Sequence, residues 1–594
     1  MYYAARSPTV NAKAYKELCP RTETNVIFLY GGRSARLKGK AAHLPPPQIM
    51  GTHLNLRMNP RLSLENERFQ VIVIGGGING VAIARECARA GRRTLLIEQH
   101  DFAAGTTSRS TRIIHGGLRY LEHGDIAQVR ESLRERRWLL QRYPHLVHPL
   151  QFLLALDGKS RRSALAVRTG LWLYQRMGDA QHGVNGTRTE QARLERLLDA
   201  GRRFSVFTFD DAQCEFPERL VAEWLVEAIE AGAVARNHTQ VLGVEIRNSR
   251  ATGVSLRDQL SGKEEHVDGT WVINATGPWA DGICQTSNIH TANPMVGGVR
   301  GSHIVLPRFV GAPGAAVYTE AIDARPIFVI PWNEQVLVGT TEVPDGNDPG
   351  QVQPSTDEIE YLLQSLLHLF PRVAVTRADI RYAFAGVRPL PFSPKKNPSA
   401  VSRKHYLHDH RADGAAQMIS VIGGKLTTAG SLARECAARI GVAITAAAIA
   451  IVDADNVDPT LEQWTTEVAA AGGISADTAH GIVEWYGKRA LAVARGARES
   501  AEMRTPLCRH TSHIVAEAVD AFSNECAATL SDVLLRRVPV ALGACWSSSC
   551  SREAAIRVGA AVGWSEERTA LELEAFERER DGFLYKASYP GATH

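Results

Sequence analysis

The stretch that most restricts what this chain can fold into runs from Val71 to Glu98. Val71-Ile72-Val73-Ile74 is a short apolar, β-branched run that reads as a buried strand. It leads into Gly75-Gly76-Gly77-Ile78-Asn79-Gly80, which fits G-x-G-x-x-G at Gly75, Gly77 and Gly80. Val81 to Gly91 is helical in pattern, and a second strand, Arg93-Thr94-Leu95-Leu96-Ile97, ends on Glu98. Each part has a physical task. Gly75 permits the tight turn, Gly77 lets backbone approach a pyrophosphate, and Gly80 lets helix and strand pack closely. The helix start offers unpaired N–H groups and the positive end of its dipole to phosphates. Glu98, 18 residues after Gly80, accepts from ribose hydroxyls and disfavours a 2′-phosphate. A doubly wound α/β, Rossmann-type dinucleotide-binding domain is expected.

With 594 residues the chain is too long for one core, so two to four domains are expected. Its 44% hydrophobic and 22% charged residues exclude disorder throughout. The net charge of +5 is unevenly placed: residues 1–60 hold nine Lys/Arg and two Asp/Glu, leaving −2 for the remainder. The near-neutral body gives no argument for nucleic acid. Residues 1–66 contain Pro45-Pro46-Pro47 and show no sustained period. They read as a basic, disordered extension or a start codon set too early, with Met58 as the alternative; an Arg-rich, acid-poor start also resembles an organellar transit peptide. Nine cysteines without C-x-x-C or a Cys/His metal spacing suit reduced thiols in a cytosolic compartment and predict no metal. The longest apolar candidate, Ile440 to Val452, is too short to cross a bilayer.

Beyond Glu98 come Gly105-Thr106-Thr107-Ser108-Arg109-Ser110-Thr111 and Ile113-Ile114-His115-Gly116-Gly117-Leu118-Arg119-Tyr120-Leu121. Further on stand Trp271-Val272-Ile273-Asn274-Ala275-Thr276-Gly277-Pro278-Trp279, Ala385-Gly386-Val387-Arg388-Pro389-Leu390 and Gly423-Gly424-Lys425-Leu426-Thr427-Thr428. These motifs resemble those of flavin-dependent glycerol-3-phosphate dehydrogenases, over roughly residues 68–590. The resemblance implies FAD as cofactor, glycerol 3-phosphate as substrate and dihydroxyacetone phosphate as product. It also implies a quinone acceptor and a cytoplasmic enzyme peripheral on the inner face of the membrane; a homodimer is the remaining partner expectation. The expected organisation is residues 67–440 as the oxidoreductase and 441–594 as a helical C-terminal domain. FAD-binding parts fall at about 67–145, 205–295 and 380–440, and substrate-binding parts at about 146–204 and 296–379. Strands separated by turns across 296–345 suggest an antiparallel substrate sheet. From Lys159 to Met177, arginines alternate with Leu165, Leu171, Trp172 and Tyr174, a pattern shared by interfacial helices and by core helices with a basic face.

Holding a phosphate dianion calls for several cations, with arginine forks matching its oxygens. The resemblance places them at Arg119, Arg388, Arg403 and Lys425, with a hydroxyl from Tyr120. For the cofactor it implies Gly75, Gly77, Ile78, Asn79, Gly80 and Glu98, then Thr107, Ser108, Ser110, His115 and Gly117. Val241, Ala275, Thr276, Gly277 and Trp279, with Gly424, Lys425, Leu426 and Thr427, complete that set. Lys425 at a helix start also suits stabilising an anionic reduced flavin. A base that is neutral near pH 7 points to histidine, His115 first and His303 second; the catalytic set is then His115, Arg388, Lys425 and His303. The chain departs from the family pattern at Ala429-Gly430, where Tyr-Arg is usual, at Arg300, where lysine is usual, and at Glu342, which ends G-T-T-E instead of G-T-T-D. A flavin oxidase of an amino or hydroxy acid needs fewer phosphate cations, and a redox-silent FAD-binding protein needs neither His115 nor Lys425.

Overall fold

The computed structural model describes residues 63–65, 67–158, 160, 162–178, 187–394, 401, 403–443 and 461–585. Apart from 63–65, the expected extension over 1–66 lies outside them, as do Lys159, Arg161, Ser402 and residues 444–452. The opening motif forms β1 (Arg68–Ile74), α1 (Ile78–Arg89) and β2 (Thr94–Ile97). Around β1 lie β6 (Val234–Arg236), β9 (Glu264–Asn274), β16 (Tyr406–Asp409) and β17 (Met418–Ile422). They make a sheet in the order β16-β17-β9-β1-β2-β6, parallel except for the β16–β17 pair. β7 (Thr239–Arg247) and β8 (Arg250–Asp258) extend it antiparallel from β9.

The apolar run in β1 is continuous because both faces are covered. Val71 and Val73 pack with Val81 of α1, Trp224 of α4 (Pro217–Glu230) and Leu432 of α5 (Ala429–Arg439). Ile72 and Ile74 face the other way, onto Val254 and Leu256 of β8. Register brings Ile74 opposite both Ile97 and Asn274, and Ser420 opposite Asn274. The segments that follow, Gly75, Glu98, Ala275 and Gly423-Gly424-Lys425, therefore leave the sheet along one edge, where such sheets bind ligands.

The second sheet contains β3 (Ile113–Ile114), β4 (His148–Asp157), β5 (Phe204–Gln213), β10 (Val296–Pro307), β11 (Ala316–Glu320), β12 (Pro326–Trp332), β13 (Gln335–Gly339), β14 (Val343–Pro344) and β15 (Tyr382–Pro391). Its pairs are antiparallel except β4–β11. β5 and β15 come from segments grouped by sequence with the nucleotide-binding parts. Their hydrogen bonds run instead to β4 and β10, which places Gly386 opposite Gly301 and Phe384 opposite His303.

Helices α2 (Ile126–Arg142) and α3 (Ala164–Met177) lie between these elements. The C-terminal region is helical: α6 (Leu461–Gly472), α7 (Ala476–Tyr486), α8 (Ala490–Ala497), α9 (Val515–Asn524), α10 (Ser548–Val562) and α11 (Glu566–Asp581). It shares a core with the second sheet, Leu534, Trp546 and Phe576 clustering with Phe152, Trp332 and Phe384. Buried charges also join it to the first sheet. Arg537 donates to both oxygens of Asp101, at 2.7 and 2.8 Å, and Arg536 adds a bond at 2.5 Å. After α11 the chain returns to β15: Ala383 N–H donates to the Phe583 carbonyl at 2.9 Å.

Candidate active site

Every cofactor, substrate and histidine position named from the sequence, except Gly80 and Ser108, lines one cavity of about 440 Å³. Gly80 acts beneath the wall: a Cβ there would lie 1.8 Å from the Gly75 carbonyl oxygen, while Gly75 itself takes φ +105°. Ser108 is corrected to a structural role. It is buried, and its hydroxyl donates to the Ala104 and Gly105 carbonyls, both at 3.0 Å, which closes the turn.

At the nucleotide end no side chain caps α1 from Gly77. Gly77, Ile78 and Asn79 at its start line the wall, and Ile78 N–H donates to Thr107 Oγ1 at 3.1 Å. Glu98 is held by the Gly76 amide at 2.6 Å and the His100 amide at 2.9 Å. Burial still pushes its carboxyl above the usual range, against the pull of those amides.

The other end is cationic. Arg119 lies 3.8 Å from Glu342 Oε1, and Arg403 pairs with the same oxygen. Arg388 donates to Thr340 Oγ1 at 2.9 Å and the Thr341 carbonyl at 3.2 Å. Gly301 makes room for it, since a Cβ there would meet Arg388 Nη2 at 2.4 Å. Burial, and Arg403 after it, lower the Arg388 guanidinium to about 10. Lys425 Nζ sits 4.1 Å over the Tyr120 ring and 3.4 Å from Ser132 Oγ. Burial brings that ammonium down to about 8; Glu131 and Asp125 oppose the shift and Arg403 adds to it. Four cations from distant segments thus meet at this end of the wall; Arg119 and Arg403 share Glu342, and Glu131 and Asp125 act on Lys425, a concentration of positive charge that suits an anionic ligand.

His115 sits on the loop after β3. Its amide donates to Thr427 Oγ1 at 3.1 Å, and the next amide, Gly116 N–H, donates to Asp211 Oδ1 at 3.1 Å. Asp211 is fixed in turn by Arg136 and by the Tyr174 hydroxyl at 2.7 Å. The His115 ring is half-buried, and no side chain among the described residues hydrogen-bonds it. Burial, then Lys425 and Arg403, push its imidazole to about 3, so it is neutral. His303 is also pushed to about 3, by burial and then Arg388. Its Nε2 lies 2.9 Å from Thr111 Oγ1, and its ring stacks on Phe384 at 5.1 Å.

Glu342 and Arg109 are among the wall residues to which the sequence assigns no role. Glu342 had registered only as a departure from the motif. Arg109 stands inside the quoted Thr/Ser-rich run; its Cζ lies 3.5 Å from the Phe583 ring centre, and its buried Nη1 has no hydrogen-bond partner. Burial lowers this guanidinium to about 10.

Residues 70–430 match the FAD dependent oxidoreductase family, and residues 432–569 match the C-terminal domain of alpha-glycerophosphate oxidase. A glycerol-3-phosphate dehydrogenase of Synechocystis is 37% identical over 501 residues, 81% of this chain and 90% of that protein. The chain belongs to the FAD-dependent glycerol-3-phosphate dehydrogenase family. A family relative from Mycobacterium leprae is 30% identical, covering 88% of this chain and 90% of its own length. A D-erythritol 1-phosphate dehydrogenase of Brucella abortus is 36% identical over 62% of this chain and 73% of that protein. The solved glycerol-3-phosphate dehydrogenase of Bacillus halodurans, complexed with FAD, shares the fold: TM-score 0.71 at 23% identity, covering 89% of this chain and 97% of that one.

FAD is the family's cofactor, and the nucleotide end of the cavity fits it. The uncapped α1 start suits the pyrophosphate and Glu98 suits the ribose. Asn79 Oδ1 is buried without a hydrogen-bond partner at the same wall, as expected of a group that completes its bonding on a ligand.

Proposed function

We propose that this chain oxidises sn-glycerol 3-phosphate to dihydroxyacetone phosphate and passes the electrons to a quinone. The observation that carries the reading is the set Arg119, Arg388, Arg403 and Lys425 in the same cavity as the nucleotide turn. Guanidinium forks match phosphate oxygens, and a neutral alcohol or amino acid would leave most of that charge uncompensated. The names of the Synechocystis and Mycobacterium leprae relatives support the same substrate.

Bound FAD would accept the hydride from the alcohol carbon. The four cations hold the phosphate and Tyr120 contributes a hydroxyl. His115 accepts the alcohol proton. Its imidazole is a weak base because burial, then the nearby Lys425 and Arg403 charges, disfavour its protonated form. A phosphate dianion beside those cations offsets their field and raises its proton affinity, so the base strengthens when substrate is present. His303, tied to Thr111 and stacked on Phe384, suits a fixed wall better than a proton carrier. In this reading residues 67–145, 205–295 and 380–440 serve chiefly the cofactor, and 146–204 and 296–379 the substrate.

A quinone acceptor fits a peripheral enzyme on the inner face of the cytoplasmic membrane. No helix among the described residues is long and apolar enough to cross a membrane. α3 buries only Leu171 and Tyr174 and exposes Leu165 (75%) and Trp172 (57%) beside Arg168 and Arg176. That is the face an interfacial helix presents.

The deciding experiment adds substrate anaerobically to purified protein and follows flavin absorbance. Bleaching by glycerol 3-phosphate, and not by glycerol or a 2-hydroxy acid, is expected. Equal bleaching by glycerol, or none by glycerol 3-phosphate, overturns the reading. Erythritol 1-phosphate as comparator separates the two phosphorylated alcohols named for the relatives.

A further inference from the structure

Away from the cavity, the C-terminal region gathers soft ligands from two segments. Cys508 and His510 lie on the loop between α8 and α9, and Cys545 and Cys550 lie just before and in the first turn of α10. Ligand atoms of Cys508, His510 and Cys550 all fall within 4.8 Å of one another, and His510 Nδ1 is 3.2 Å from Cys550 Sγ. A tetrahedral zinc with bonds of about 2.3 Å to sulfur and about 2.05 Å to nitrogen holds S and N about 3.6 Å apart, and two sulfurs about 3.8 Å apart. To meet those figures the 3.2 Å His510–Cys550 pair opens by about 0.4 Å, and any wider pair, none beyond 4.8 Å, closes by about 1 Å at most.

We propose that Cys508 Sγ, His510 Nδ1, Cys545 Sγ and Cys550 Sγ form a structural zinc site clipping the α8–α9 loop to the first turn of α10. The loop is shaped for it. Leu507 N–H donates to the His513 carbonyl at 2.8 Å, and Pro506 bridges to Ile514, which folds the Cys-x-His segment into a tight finger. Within it the His510 amide donates to Cys508 Sγ at 3.4 Å, which fixes the position of that sulfur in the finger. Cys545 Sγ rests 3.7 Å from the His510 carbonyl oxygen, beside the finger, and supplies the fourth donor by side-chain rotation.

Two thiolates with imidazole and a further thiolate form a closed, soft donor set that suits zinc, with the thiol protons released to solvent on binding. Two other clusters of ligand-type residues differ because their own partners satisfy them. Asp413 accepts from both His408 and His410, at 2.7 and 2.8 Å, and Arg536 and Arg537 neutralise Asp101 beside His238 and Asp532. Sequence spacing conceals the set, since the C-x-H and C-x4-C pairs stand far apart and neither is a C-x-x-C.

The test measures metal in the full-length FAD-loaded protein, expressed without a polyhistidine tag in zinc-supplemented medium. About one zinc per chain is expected by elemental analysis. His510→Ala, a change at an exposed side chain, and Cys550→Ser should each reduce it at least about tenfold while the flavin spectrum persists. Cobalt added to stripped wild-type protein should show the intense visible bands of a tetrahedral cobalt–thiolate centre. Zinc below about one-tenth per chain in the wild type overturns the site. So does a Cys508–Cys550 disulfide in the unreduced protein, or full metal content in His510→Ala.

Discussion

Among the four cavity cations proposed to hold phosphate, Lys425 is the one whose charge changes between pH 7 and pH 9. Burial brings its ammonium to about 8, so at pH 7 about nine-tenths of the free enzyme carries the charge, and at pH 9 about one-tenth. A cation is lost as pH rises through its pKa, so the effect is an alkaline limb. If the dianion binds only the charged form, kcat/KM falls about tenfold from pH 7 to pH 9, and about tenfold per further unit. No other cavity group with a resolved value competes in that window: His115 lies at about 3 and Arg388 at about 10. The decisive perturbation is Lys425→Arg. Its guanidinium stays charged across the range, so the limb should vanish even where imperfect geometry lowers the overall rate. Lys425→Met should be low and flat. The assay is anaerobic stopped-flow reduction of the bound flavin, taken as the ratio of rate constant to apparent Kd against pH. A flat wild-type profile, or an undiminished limb in Lys425→Arg, refutes the electrostatic reasoning.

Three other outcomes follow from the geometry. His115→Ala should slow flavin reduction by about 10²-fold or more with FAD still bound, and normal turnover would remove the assignment of the base. Asp101→Ala takes from Arg537 the carboxylate that accepts from both its Nη atoms, while Arg536 keeps Asp532 and Glu579, and should cost about 3–5 kcal/mol, read from denaturant midpoints. An unchanged midpoint would mean that the buried pair contributes nothing. Leu165→Glu with Trp172→Glu should lower co-sedimentation with anionic vesicles while leaving reduction by soluble substrate intact; equal binding would clear α3 of membrane contact.

The nucleotide unit was legible because its chemistry is local. Gly75, Gly80 and Glu98 act on neighbours within one strand–helix–strand turn, and their spacing encodes the geometry. The cations were legible only as motifs, since a lone arginine at 119, 388 or 403 says nothing until sheet register brings the segments together. Glu342 could be noted as a departure but not given a role, because its partners come from other segments. Arg109 was in view yet had no function, for the ring it rests on belongs to the end of the chain. β5 and β15 escaped grouping for a related reason: strand pairing is decided by partners, and theirs are β4 and β10.

The return of Phe583 to β15 has a consequence in time. A ribosome makes the glycine turn, the acid and all four cations well before it makes the aromatic ring under Arg109. A nascent chain complete through residue 440 already holds every residue that would touch FAD or phosphate, yet it still lacks the ring that steadies that part of the wall and the arginine pair that neutralises Asp101. That part of the wall is therefore completed only by the last residues translated, and a chain truncated before Phe583 should retain FAD less well through desalting than the full chain.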